Sequence, residues 1–148
     1  MFQGELIGIF ITGKRSTDLE AVPQVEVVAG GGLTGDRYCL PSGTNKPDRE
    51  VTLIESEALE GLAREYEVQL APVLARRNLL TRNVPLNHLV GKEFRVGSVV
   101  LRGVRLCEPC GHLEKLTGLT LVKGLTHRGG LRAHIVEGGL LRVGDVIK

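Results

Sequence analysis

The sequence predicts a mainly β fold: a β-barrel with one main helix and short helical pieces. Three observations support this. Apolar runs are short and alternate with polar residues, as half-buried strands do. Glycine is abundant, 20 of 148 residues, and sits at turn-like spacing between those runs. Only one stretch carries a clear helical period. With 42% hydrophobic and 24% charged residues, the composition is that of an ordinary globular domain and argues against a disordered tail or a coiled coil. A chain of this length can bury about 68–70% of the surface its unfolded form exposes. No linker or shift in composition divides it, so one domain over residues 1–148 is expected.

The elements follow in order. Residues 5–12 and 24–29 read as strands joined by a polar connection at Lys14–Asp18. Gly30 to Arg37 is a glycine loop, and residues 38–50, with two prolines, form an irregular loop. Val51–Ile54 is a short strand. In Ser56–Val68, Ala58, Leu59, Leu62, Ala63 and Tyr66 recur at helical spacing, with Ser56 placed to cap the start. Pro72–Ala75 is a second, shorter helical piece. Residues 94–96 and 99–106 flank Gly97-Ser98, a hairpin signal. Leu131, Ala133 and Ile135 alternate with Arg132 and His134. Gly138-Gly139 forms a turn, and strands at 140–143 and 146–148 flank Gly144-Asp145. Arg142 to Val146 echoes Arg95 to Val99, which predicts the same hairpin twice.

Charge is unevenly distributed. Residues 1–74 hold six Lys/Arg and twelve Asp/Glu; residues 75–148 hold thirteen and five. Thirteen of the nineteen cations are arginine, the planar, bidentate binder of oxyanions. Solvated faces account for part of this. The sharper expectation is an anion pocket built mainly by the C-terminal half. Aromatic residues are 3% of the chain and Trp is absent, which argues against a base-stacking nucleic-acid surface. No apolar run reaches membrane-spanning length. The N-terminus lacks the basic flank and cleavage site of a secretory signal. No membrane association and a cytoplasmic location are therefore expected.

Several motifs admit more than one chemistry. Gly30, Gly32 and Gly35 satisfy G-x-G-x-x-G, but a dinucleotide site also needs a helix opening at the last glycine. The alternatives are a plain glycine turn, or a loop in which Gly35, Asp36 and Arg37 approach an anion with Asp36 fixing the arginine. Cys107-Glu108-Pro109-Cys110 is a lone C-x-x-C. Zinc would need more ligands, from Cys39, His112, His127 or His134. A redox pair would need a different setting. Two packed thiols, or one working thiolate at Cys110 favoured by Arg105, His112 or Lys115, remain open. Arg76, Arg77 and Asn78 either end a helical piece or face an anion. His127, Arg128 and Arg132, around Gly129-Gly130, form either a surface loop or a rim over a phosphate.

The order G-L-T-G-D-R (32–37), V-T-L-I-E-S-E (51–57), R-R-N-L-L (76–80), L-V-G-K-E-F-R-V-G (89–97), L-C-E-P-C (106–110), H-R-G-G-L-R-A (127–133) and G-G-L-L-R-V-G-D (138–145) resembles the MOSC family, named for the C-terminal domain of the molybdenum cofactor sulfurase. The resemblance spans about residues 30–146. It implies a closed barrel of the pyruvate-kinase-barrel type and a molybdenum–pterin cofactor. It also implies a metal-ligating or persulfide-carrying thiolate at the P-C position, Cys110; Cys107 does not match that position. Larger relatives, such as the mitochondrial amidoxime-reducing component, carry an additional N-terminal barrel region, so a minimal stand-alone member is expected here. Arg37, Asn78 and one of Arg76 and Arg77 are expected to share a concave site with Cys110.

Three functions follow from these expectations. The first is a small molybdoenzyme that reduces N-hydroxylated compounds with electrons from a separate donor protein. The second is a sulfur carrier that receives sulfur from a donor protein. The third is a non-catalytic anion-binding barrel, for which mixed charge and few aromatics argue against nucleic acid as partner.

Overall fold

A barrel closes because one strand, β1 (Gly4–Ile11), has neighbours on both edges. The computed structural model describes residues 2–109, 114–115 and 121–148. Along the chain, β2 (Glu20–Ala21), β3 (Gln24–Val28) and β4 (Gly32–Leu33) come next. A 3-10 turn at Pro47–Arg49 leads into β5 (Val51–Glu55), α1 (Ser56–Tyr66), a 3-10 turn at Pro72–Ala75 and β6 (Leu79–Arg82). A third 3-10 turn at Leu86–Leu89 precedes β7 (Glu93–Val96) and β8 (Val99–Leu106). The short helix α2 (Val122–Leu125), β9 (Leu131–Glu137), β10 (Gly139–Arg142) and β11 (Val146–Ile147) complete the chain.

The barrel runs β1-β11-β7-β8-β9-β5-β6 and returns to β1, seven strands in all. β5 and β6 are parallel and α1 is the crossover between them, as a parallel pair requires. β2 adds to the far end of β1, while β10, β3 and β4 form a separate three-stranded sheet. No helix among the described residues is long and apolar enough to cross a membrane.

Two apolar clusters hold these layers together. Leu6, Ile9, Val51, Leu53, Leu79, Val99, Leu101, Leu131, Ala133 and Ile135 fill the barrel interior, joined by Val25, Val27, Leu33 and Leu141 of the small sheet. Ile54, Leu80 and Phe10, on the opposite faces of their strands, pack with Ala58, Leu59 and Leu62 of α1 and with Leu121 and Leu125. The alternation at Leu131 to Ile135 thus matches the expected half-buried strand. In β1 strict alternation breaks. A register shift between Leu6 and Gly8 against β6 inserts one residue, so Leu6 and Ile9, three apart, share the inner face.

The expected elements are present, with four differences. The helix ends at Tyr66, because Glu67 adopts a left-handed conformation (φ 55°) and returns its N–H to the Ala63 carbonyl at 3.1 Å. Ser56 lies inside the helix and makes no capping hydrogen bond, and Glu55 takes the cap position. β2, β4 and β6 are too short to show a period in sequence. The second hairpin does not form: the Gly144-Asp145 turn passes the chain from β10, paired with β3, to β11, paired with β1 and β7. The Gly97-Ser98 hairpin forms as expected, with Val96 opposite Val99.

Close approach of β8 to the Leu86–Leu89 turn sets one sharp constraint. Gly91 N–H donates to the Gly103 carbonyl at 2.8 Å, and a Cβ on Gly103 would lie inside van der Waals contact of the Leu89 carbonyl oxygen. Gly103→Ala should therefore destabilise the chain by about 2–3 kcal/mol, read as a lower urea midpoint with an unchanged m-value.

Candidate functional site

One end of the barrel wall opens into a cavity of about 360 Å³ lined by Arg15, Arg37, Tyr38, Asp48, Arg49, Val51, Thr52, Arg76, Arg77, Asn78, Arg105, Cys107 and Arg132. Seven of these are arginine and one is acidic. Each comes from the end of an element: Asp48 and Arg49 precede β5, residues 76–78 precede β6, Cys107 follows β8, and Arg37 and Tyr38 follow β4. The first half of the chain supplies Arg15, Arg37 and Arg49, so the pocket is shared between both halves more evenly than the charge distribution predicts.

The glycine loop behaves as an arginine support. No helix opens after Gly35 (φ +90°), which removes the dinucleotide alternative. Instead Asp36, fully buried, pairs with Arg37 at 3.0 Å and accepts the Thr12 N–H at 3.2 Å. The Arg37 guanidinium lies 4.5 Å from the Tyr38 ring centroid and that of Arg15 lies 5.5 Å from it. Gly35 itself does not line the cavity.

Arg76, Arg77 and Asn78 all reach the cavity but do different things. Arg76 is in a left-handed conformation (φ 60°) and donates to the Thr17 carbonyl at 2.7 Å. Burial and the nearby charge of Arg37 push its guanidinium below the ordinary value, partly opposed by Tyr38, Asp18 and Asp36. Arg77 donates to the carbonyls of Gly129 at 2.8 Å and Cys107 at 3.2 Å. Asn78 is a structural tie: its amide donates to the Phe10 carbonyl, and its Oδ1 accepts from the Thr52 N–H and hydroxyl, at 3.1–3.2 Å. That joins β1, β5 and the chain entering β6.

Cys107 is buried in the cavity wall. Cys110 and His112 lie outside the described residues. The segment that carries them is closed at its base. Cys107 N–H donates to the Gly130 carbonyl at 2.7 Å, and Arg77 spans both ends. Glu108 accepts the His127 N–H at 2.7 Å and contacts its Nδ1 at 2.9 Å. His127 is thus a tie at the base and does not line the cavity. Neither does Arg128, which donates to the Gly124 carbonyl and pairs with Glu65 at 2.6 Å. The rim they were expected to form over a phosphate is absent from the described cavity wall. Lys115 is exposed. Among the described residues no three His, Cys, Asp or Glu side chains cluster in a way that could hold a metal ion.

Sequence reasoning missed Arg15, Tyr38, Asp48 and Arg49 as lining residues; Arg132, expected in the rim with His127 and Arg128, is the one of those three that lines the cavity. Asp48 pairs with Arg105 at 3.1 Å and its carbonyl accepts from Arg132 at 3.1 Å. Burial pushes the Asp48 carboxyl up, but Arg105, a backbone hydrogen bond and Arg132 together outweigh it, so the net shift is downward. The available signal was two arginines placed on strand ends, Arg105 and Arg132, opposite each other in the β8–β9 register.

The sequence matches the MOSC domain family over residues 41–148. No curated protein matches it. Among solved structures, the YuaD protein from Bacillus subtilis aligns with a TM-score of 0.82 at 16% identity, over 99% of this chain and 97% of that one. YiiM from Geobacillus stearothermophilus aligns with a TM-score of 0.76 at 15% identity, over 97% and 73%. YiiM from Escherichia coli gives 0.70 at 20%, over 100% and 69%. At such identities the likeness is one of fold.

Two outcomes are expected. Asn78→Ala leaves the Thr52 N–H and Phe10 carbonyl unpaired and should cost roughly 2–4 kcal/mol, measured by chemical denaturation. Burial and the charge of Asp36 raise the Cys39 thiol above its ordinary value, which keeps it protonated at neutral pH. Its alkylation rate should therefore rise with pH at a higher midpoint than that of a free cysteine. A midpoint at or below the free value would contradict this environment.

Proposed function

The chain belongs to the MOSC domain family, which is associated with molybdenum cofactor binding, and on that premise we propose that its arginine-lined cavity holds a molybdenum–pterin cofactor. The observation that carries this reading is the cavity lining: seven guanidinium groups with a cysteine in the same wall. The donor chemistry fits the group. A phosphate ester calls for planar, bidentate donors, which Arg37 and Arg76 provide. Molybdenum calls for a soft sulfur, and the resemblance assigns that role to Cys110, three residues beyond Cys107.

When bound, the cofactor supplies two-electron redox chemistry that protein side chains lack. This chain's own residues bind and orient. Asp36 and Tyr38 hold Arg37 in place, the Thr17 carbonyl holds Arg76, and the Asp48 carbonyl holds Arg132. Arg77 fixes both ends of the cysteine-bearing segment to the barrel. The activity we propose is reduction of N-hydroxylated small molecules, with electrons delivered by a separate protein, as the family resemblance implies.

The test is metal analysis with pterin fluorescence on protein made in a host that synthesises the cofactor. One molybdenum with pterin per chain is expected. Cys110→Ser should abolish molybdenum retention, because a hydroxyl cannot replace a soft thiolate. Cys107→Ser should have a much smaller effect. Equal loss in both would point to a paired-cysteine site. Cysteine persulfide without metal would replace this reading with that of a sulfur carrier.

A further inference from the structure

The cationic groups of the cavity are not one cluster. At one side Arg15 and Arg37 flank the Tyr38 ring, and Arg37 pairs with Asp36. Arg76 belongs to the same side, because the charges it feels are those of Arg37, Tyr38, Asp18 and Asp36. At the other side Arg105 pairs with Asp48, and Arg132 donates to the Asp48 carbonyl. Arg49 is the next residue in the chain. Asp48 in turn feels Arg105 and Arg132. Each pole therefore holds more guanidinium groups than carboxylates: Arg15, Arg37 and Arg76 beside Asp36 and Asp18, and Arg105 and Arg132 beside Asp48, with Arg49 also lining the cavity. A positive surplus at each pole suits one oxyanion. A cofactor with a single phosphate satisfies one pole and leaves the other.

The ion pairs of the two poles differ in exposure, although Arg15 is exposed and Arg132 half-buried. The Arg37 and Asp36 side chains are 8% and 1% exposed, whereas those of Arg105 and Asp48 are 57% and 30% exposed. A buried, internally braced pole suits a resident group. An open pole suits a group that must enter and leave. Arg15, Arg49, Arg76 and Arg132 have no acidic ion-pair partner among the described residues, and the buried Arg132 Nε has no hydrogen-bond acceptor there. Charge is thus left uncompensated at both poles.

We propose that the Asp48 pole is a second oxyanion site that binds the carboxylate or phosphate of an exchangeable substrate, while the Asp36 pole keeps the cofactor's phosphate. The substrate is accordingly an anionic small molecule. This assignment of the two poles rests on the cofactor reading above. The two-site geometry does not.

Inorganic phosphate titrated calorimetrically into the full chain, first free of cofactor and then loaded, tests both. Two phosphates should bind the cofactor-free chain and one the loaded chain. Arg49→Gln, at an exposed residue, should weaken the phosphate that binds loaded protein by about tenfold. Arg15→Gln should weaken the other phosphate instead. Arg64→Gln, outside the cavity, should change neither. A single phosphate on the cofactor-free chain, weakened equally by both cavity variants, would overturn the two-pole arrangement. Loaded protein that binds no phosphate and releases a nucleotide on hydrolysis would assign the Asp48 pole to an extended cofactor, overturning the substrate claim. Two phosphates on a chain that never takes up molybdenum would support the poles and reject the cofactor reading.

Discussion

Like-charge crowding governs this structure. Seven guanidinium groups line one cavity of about 360 Å³. Two unit charges about 6 Å apart repel by roughly 3 kcal/mol at an effective dielectric of 20, so such a group must be held together by something. Acidic partners would do so but would also neutralise the site. Here the holding is largely done by neutral acceptors. Arg76 rests on the Thr17 carbonyl, Arg77 on two carbonyls, Arg132 on the Asp48 carbonyl, and Arg37 partly on the face of Tyr38. Asp36 pairs with Arg37 and Asp48 with Arg105. The arrangement fixes geometry while preserving positive potential, which is what pre-organised anion binding requires.

The barrel explains how those carbonyls come to be in place. The bulge in β1 brings Leu6 and Ile9 to the same interior face and leaves Phe10 outside. The Phe10 carbonyl then meets the Asn78 amide, and Asn78 reaches across to Thr52 on β5. Strand β6 must run parallel to β5 for this contact, and α1 provides the crossover. The side chains of Arg76 and Arg77 are thereby delivered to the cavity from the residues just before β6. Packing of apolar side chains on both faces of these strands holds the polar contacts in register.

Much of the fold was legible in the sequence because its signals are local. The helix period at Ala58 to Leu62, the Pro72 turn, the Gly97-Ser98 hairpin and the alternation at Leu131 to Ile135 each need only a few neighbouring residues. The strands that escaped notice, Glu20–Ala21, Gly32–Leu33 and Leu79–Arg82, are too short to carry a period. Arg142 to Val146 copies a hairpin sequence but not its pairing, since pairing is decided by which distant strand is adjacent. The site divides the same way. Arg37 beside Asp36 and the Arg76-Arg77-Asn78 run stand out in sequence. Arg15, Asp48 and Arg49 join them only through closure of the barrel. His127 and Arg128, beside two glycines, looked like a phosphate rim, yet nearby acids and a carbonyl hold both.

Arg77 shows why the charge was not spent elsewhere. Its guanidinium donates to Cys107 and Gly129, the residues at either end of the segment that carries Cys110. A carboxylate at the base of that segment could have fastened it as firmly, and Glu108 does so farther out with His127. Inside the cavity a second acid would lower the positive potential and disfavour the thiolate of any nearby cysteine. An arginine clamped to carbonyls fastens the segment and adds a positive charge, which favours thiolate over thiol. Arg77→Lys would keep that charge but lose the planar fork that reaches both carbonyls at once. The geometry of the clamp, rather than charge alone, therefore ties the thiol-bearing segment to the anion-binding wall.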